Sequence, residues 1–266
     1  DKRPFGLDDM TEIHPTAVIA PGARIGNDCV IGPYCVIGKH VELGDRCRLH
    51  SHVVVEGYTT LGSDNEIFPF ASLGHKTQDL KWRGGITYTR IGNRNTLREA
   101  VTVNSGTGEG EATVIGDNNL IMAYCHVAHN CCLGNHIIIS NGMAMAGHVT
   151  VEDYAVISGL VTIHQFVRIG TMAIIGGSSK TTQDVPPYVM ADGNPVRPRA
   201  LNRVGLERRG VSLEAQAQLK QAYKLLFRSG MALDNSIQQL ESRQDLLPEV
   251  EHLVNFIKGS PRGVCR

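Results

Sequence analysis

Of the chain's 11 histidines, four recur at related intervals: His126, His129, His148 and His164. A step of roughly 18 residues, one turn of a three-sided coil, carries position 129 to position 147 and then to position 165. His148 and His164 each fall within one residue of those marks. Imidazole takes and gives a proton near neutral pH. Histidines gathered along one edge can therefore supply a general base for a hydroxyl. Two other readings of the cluster stay open: a polar seam where subunits pack, and a zinc site, since imidazole is a common ligand. His14, His40 and His252 read as ordinary surface residues.

The coil that would gather these side chains is written in the aliphatic residues. From Ile13 to Ile175, every sixth position is Ile, Leu, Val or Met except Asp79, Gly85 and Glu109. A step of six matches neither the helical period nor the two-residue alternation of a strand. It matches a short flat segment followed by a corner, repeated as a parallel β-helix with one aliphatic side chain inward on each face. Gly often follows the aliphatic residue, as in Ile25-Gly26, Leu43-Gly44 and Ile169-Gly170, and is expected to serve the corner's unusual backbone angles. Four places after the frame residue stands a small or β-branched one, such as Ala17, Val53 or Ala173. Cys29, Cys35, Cys47, Cys125 and Cys131 share that place and read as small inward hydrophobes.

The breaks in the frame predict two loops thrown out of the prism, near 77–90 and 106–112; loops on a rigid scaffold are where binding residues concentrate. The β-helix is expected over 11–195 and a helical domain over 196–266. Three helices are expected there: Leu213 to Arg228 behind the N-cap Ser212, a second near Leu233 to Ser242, and a third near Pro248 to Lys258. Residues 1–9 lack apolar patterning and read as a tag or extended start.

Lys+Arg and Asp+Glu both number 26, and the net charge of zero argues against a nucleic-acid partner. No apolar run is long enough for a transmembrane helix, and no signal peptide is expected. The 7 cysteines include no paired CxxC spacing, which suits a reducing cytoplasm rather than a metal site.

Longer strings carry a more specific likeness. Gln78-Asp-Leu-Lys81, Ile121-Met-Ala-Tyr-Cys-His-Val-Ala-His129, Met145-Ala-Gly-His148, His164-Gln-Phe166, Asp184-Val-Pro-Pro-Tyr188, Gly205-Leu-Glu-Arg-Arg-Gly210 and Ala222-Tyr-Lys-Leu-Leu-Phe-Arg-Ser-Gly230 resemble the UDP-N-acetylglucosamine 3-O-acyltransferases. The likeness runs from Glu12 to Arg266. It implies a left-handed parallel β-helix with a C-terminal helical domain, assembled as a homotrimer with its site between subunits. The implied reaction moves a hydroxyacyl chain from acyl carrier protein to UDP-N-acetylglucosamine, opening lipid A synthesis, with no cofactor and no metal. By the same resemblance His129 is the general base and the Gly147 N–H the oxyanion donor. Gln78, Asp79, Lys81, His126, His148 and His164 contact substrate. Asn202, Arg208 and Arg209 lie near the nucleotide, where a guanidinium pair suits a diphosphate. Gly177 gates acyl-chain length.

Two positions depart from that pattern. Asn130 stands where many members place Asp; an amide can orient an imidazole but brings no charge against its cation. Asn104 replaces a His found in some members and leaves the phosphate contacts of that coil open. The nearest rival is the N-acyltransferase of the same pathway, which also follows its base His with Asn. It carries a uridine-binding domain before its hexads, whereas here they begin at Ile13, so no such domain is expected. A hexapeptide-repeat zinc enzyme and a non-catalytic β-helix scaffold are the remaining alternatives; the scaffold explains the repeat but not the histidine edge.

Overall fold

A computed structural model describes residues 11–266, and the reading of residues 1–9 lies outside the described residues. The chain winds through short strands that visit three parallel sheets in strict rotation. The first face runs from Glu12–Ile13 to Ile174–Ile175, the second from Val18–Ile19 to Lys180–Thr181, and the third from Arg24–Ile25 to Arg168–Ile169. Successive coils pair in register, as Glu12 with Val30 and Val30 with Arg48. The frame aliphatic closes each two-residue strand and points inward; Ile37, Val55, Leu97, Val127 and Ile157 are fully buried in one continuous core. Each such side chain contributes roughly 1.5–3 kcal/mol.

That burial offsets strained corners. Three residues after the frame position the backbone turns left-handed, mostly at non-glycine residues such as Asp28, Arg46, Asn118 and Tyr154. Each costs roughly 1–2 kcal/mol. Part of the return is a bond between coils: the Arg46 N–H donates to the Asn27 carbonyl at 2.8 Å and the Asn118 N–H to Asn93 at 2.9 Å. The glycines that follow the aliphatic residues were expected to supply these angles, and apart from Gly74 after Leu73 they do not. Gly26, Gly32 and Gly44 are absent from the left-handed set; their constraint is space, since a Cβ on Gly44 would lie 2.6 Å from the Gly62 carbonyl carbon.

The inward cysteines sit as expected, and each thiol also reaches a corner carbonyl: Cys35 Sγ lies 2.8 Å from the His50 oxygen and Cys131 Sγ 3.2 Å from Ala146. Asn65, Asn95 and Asn119 hold the same place elsewhere and form a buried ladder, each side-chain oxygen accepting the next coil's N–H at 2.7–2.9 Å.

Two insertions leave the ladder intact. Glu66 pairs with Thr96 and Thr96 with Leu120, so coils that elsewhere repeat at 18 residues are here 30 and 24 apart. Both loops leave the edge between the second and third faces. They end sooner than the frame suggested, because Tyr88–Ile91 and Ala112–Ile115 already pair as strands.

The strands run past the expected boundary at 195. Val189–Asp192 continues the first face and Arg197–Leu201 returns antiparallel, so the helical region begins after residue 201. Four helices follow where three were expected: α1 (Arg203–Arg208), α2 (Leu213–Arg228), α3 (Leu233–Glu241) and α4 (Pro248–Lys258). Ser212 caps α2 by accepting the Ala215 N–H at 3.1 Å. The helices share an apolar cluster built on Leu206, Leu219, Leu226 and Leu253. The chain end then returns to the prism, where Val264 bridges to Asp184 and Cys265 joins the prism core. His252, expected on the surface, is half-buried between Glu152 (3.1 Å) and the Tyr188 hydroxyl (3.0 Å). Among the described residues no helix is long and apolar enough to cross a membrane.

Candidate active site

Three consecutive strands of the second face, His126–Val127, Ala144–Met145 and Thr162–Ile163, stack in register. Their frame residues Val127, Met145 and Ile163 are buried in the prism, while His126, Ala144 and Thr162 face away from it. Beyond each strand the chain turns the corner through a left-handed residue, respectively Asn130, His148 and Phe166. His129 precedes its corner residue and His148 is one, so the two rings are offset along the edge. They meet edge-on at 5.2 Å and 88°, and His148 stacks on Phe166 at 4.6 Å.

The place equivalent to His129 one coil on is Gly147. A Cβ there would lie 2.3 Å from Cε1 and 2.4 Å from Nε2 of His129, so the imidazole packs directly against a bare backbone. The Gly147 N–H meets no acceptor among the described residues.

The two loops wall the cleft. In the first, Thr77 accepts the Asp79 N–H at 3.0 Å and Asp79 accepts the Lys81 N–H at 2.9 Å. That local turn brings the Asp79 carboxylate to 3.7 Å from His129 Nε2. The second loop is tied to the first by a Thr107–Thr77 hydroxyl bond of 3.0 Å. It reaches the corner through the Thr107 N–H, which donates to Asn130 Oδ1 at 3.1 Å. On its other ring nitrogen, His129 Nδ1 lies 2.9 Å from that same Asn130 oxygen.

A cleft of about 610 Å³ results, lined by Gln78, Asp79, Lys81, His126, His129 and Gly147 with Met145 and Ile163 at its floor. Burial, and then the charge of His129, hold His126 below the ordinary imidazole range, and Thr102 anchors its Nδ1 at 2.7 Å. Burial likewise lowers His148, again with His129 adding to the effect and Glu111 and Asp79 opposing it.

The structure gathers six of the sequence-derived positions in the cleft, with His148 against the ring. His164 lies on the same edge but is exposed, its Nδ1 3.1 Å from the Gln165 carbonyl. Gln165, at the position the 18-residue step reaches from His129, lines the cleft instead. The spacing alone marks Gln165; residue type favours the neighbouring imidazole. Gly177, Asn202, Arg208 and Arg209 do not line the cleft. Gly177 is exposed at the edge between the first and second faces, beside Gly159. Asn202 caps α1, accepting the Gly205 N–H at 2.9 Å and donating to the Met172 carbonyl at 2.8 Å. Arg208 is exposed in the last turn of α1, and the Arg209 guanidinium lies 4.3 Å over the Tyr154 ring on the third edge. Asn104 is buried with its Oδ1 unpartnered among the described residues.

The family of bacterial transferase hexapeptides matches residues 8–39, 22–57 and 112–142. The family described as UDP N-acetylglucosamine O-acyltransferase, domain 2, matches residues 184–265. Among solved structures, a protein from Acinetobacter baumannii shares 44% identity over 96% of this chain and 99% of its own, with a TM-score of 0.92. The UDP-N-acetylglucosamine acyltransferase of Francisella novicida shares 37% over 96% and 94%, also at 0.92. The Arabidopsis UDP-N-acetylglucosamine acyltransferase shares 37% over 96% and 100%, at 0.86. A left-handed β-helix of hexads with a histidine-lined cleft on one edge is the framework of a hexapeptide-repeat acyltransferase. Within that class, the chain belongs to the UDP-N-acetylglucosamine acyltransferase family.

Proposed function

We propose that this chain transfers an (R)-3-hydroxyacyl group from acyl carrier protein to the 3-hydroxyl of UDP-N-acetylglucosamine, the first step of lipid A biosynthesis. The observation that carries the reading is the packing of His129 on Gly147 within the cleft. His129 Nε2 takes the proton of the sugar hydroxyl as its oxygen attacks the thioester carbonyl. The Gly147 N–H, free of any acceptor among the described residues, donates to the oxyanion as it forms. Collapse of the tetrahedral intermediate expels the carrier's thiolate, which takes the proton back from His129. The thioester supplies the activation, so no cofactor enters. Asp79, Gln78 and Lys81 rim the entrance where the sugar would lie.

The active form in this reading is a homotrimer of cyclic symmetry. Two features support it. The edge between the first and second faces exposes a row of large apolar side chains, with Tyr124 72% exposed, Leu160 66% and Phe70 62%, a patch of the kind that subunits cover. Arg208 and Arg209 stand away from the cleft of their own chain, and a neighbouring copy would bring such cations to the diphosphate. The reaction is assigned to the cytoplasm, where seven free cysteines would stay reduced.

Mixing the protein with a hydroxyacyl carrier thioester and UDP-N-acetylglucosamine should yield a nucleotide sugar heavier by one hydroxyacyl group, read by mass spectrometry. Light scattering of the same sample should give three chains per particle. Absence of product, or an active monomer, would sink the respective half of the reading.

Chain length provides a further expectation. A Cβ on Gly177 would meet only the Gly159 carbonyl oxygen, at 3.5 Å, so a larger side chain fits and projects outward. With Gly in place a long hydroxyacyl donor is preferred, and Gly177→Met should move the preference toward shorter chains by roughly tenfold or more. An unchanged ranking in a competition between donors would remove Gly177 from the acyl pocket.

A further inference from the structure

The two ends of the Asn130 amide match in shape and differ in chemistry, and its neighbours settle which way it faces. The Thr107 N–H can only donate, and it points at Oδ1 from 3.1 Å. The Glu111 carboxylate can only accept, and its Oε2 lies 2.7 Å from Nδ2. The amide oxygen is therefore the end presented to His129 Nδ1, at 2.9 Å. An oxygen there requires a proton on Nδ1, which leaves the Nε2 lone pair toward the cleft.

We infer that Glu111 is the positioning residue of the catalytic base: through Asn130 it selects the His129 tautomer and sets a negative charge two hydrogen bonds behind the ring. Glu111 is itself held in place. Its Oε2 also accepts the Gly108 N–H at 2.8 Å. That bond first, and the one from Asn130 second, keep its carboxyl below the ordinary carboxylate range. The second loop thus has a task of its own, since Thr107, Gly108 and Glu111 all belong to it. Glu111 is exposed, so solvent screens its charge and the larger part of its effect is orientational.

The other groups around the base are Asp79 and Lys81 from the first loop, His126 on the same coil and His148 on the next. Asp79 lies on the Nε2 side, opposite Asn130. A comparison that leaves all four in place isolates the Nδ1 side.

The inference rests on His129 as base, and the test separates the two. The pH dependence of kcat/KM would be measured on the full chain for Glu111→Ala, Glu111→Gln, Asn130→Asp and the double variant Glu111→Gln/Asn130→Asp. Glu111→Ala should lose roughly tenfold, less than removal of the base itself. Asn130→Asp should reduce kcat/KM in the parent, where it sets a second carboxylate against Glu111. The same change should raise kcat/KM in the Glu111→Gln background, where an amide at 111 can donate to the new carboxylate. That reversal of sign, together with an acidic limb that moves to higher pH in the double variant, is something a loop-stabilising role would not produce. Should Glu111→Ala loosen the loop, the comparison built on Glu111→Gln still decides, because in that background an amide oxygen can replace the one oxygen on which both bonds to Glu111 land, and in the double variant the amide turns its NH2 to the new carboxylate. An Asn130→Asp effect of one sign in both backgrounds would overturn the role of Glu111 and leave His129 as base. A fully active His129→Ala enzyme would overturn both.

Discussion

His129→Ala is expected to lower kcat by roughly 10²–10⁴-fold, the span for loss of a general base, with little change in melting temperature. The two halves of that expectation come from different parts of the structure. His129 stands two residues beyond Val127, the frame position that fills the prism. Its ring lies over Gly147 in the cleft and carries no part of the aliphatic core. The corner itself is held by backbone, with the His148 N–H donating to the His129 carbonyl at 3.0 Å, and alanine keeps that bond. The neighbouring imidazoles are weaker bases than a free one, since burial first, and then the charge of His129, hold His126 and His148 below their ordinary range. A variant that lost activity and unfolded together would contradict the placement. A variant with undiminished kcat would end the mechanism.

Gly147→Ala should be nearly as damaging, although it adds only a methyl group. The backbone of Gly147 is not left-handed, so alanine is compatible with its conformation and the fold should persist. The added carbon has nowhere to go, because the nearest atoms are the ring atoms of His129. The imidazole must swing out, away from the Asn130 oxygen and from the line of the sugar hydroxyl. A misplacement of about 1 Å in a reacting group costs on the order of 10²-fold. Circular dichroism at the parent's level with kcat lowered by about that factor is the expected result. A kcat within twofold of the parent would show that the base works from a different position.

The hexad frame was legible because burial acts on it directly: one aliphatic side chain per face, coil after coil, with nothing else able to fill the interior. Asp79, Gly85 and Glu109 look like failures of the frame in one dimension and prove to lie in the two inserted loops. The helices α2 and α4 were legible by their caps and apolar faces. α1 was not, since six residues including Gly205 give no period to detect. The glycines were rightly singled out for the wrong reason, because sequence cannot tell a residue that needs a left-handed angle from one that has a neighbouring backbone where its Cβ would be. The histidine edge followed from counting, yet the count pointed to Gln165 and residue type pulled attention to His164. Glu111 left no signal of its own. Its relation to His129 depends on a loop folding back across a corner, and local spacing does not encode that contact.

Both inserted loops leave the same edge, on the two coils that precede the one bearing His129. Asp79 and His129 are far apart along the chain, yet the first loop reaches past the intervening coil and brings its carboxylate to 3.7 Å from the ring. The address of a residue in this molecule is therefore a storey and a corner rather than a distance in sequence. The storeys between Val18 and Leu61 carry none of the cleft's side chains and bear on it only as foundation. Their number sets the height at which the reaction takes place, and the chemistry itself is indifferent to it.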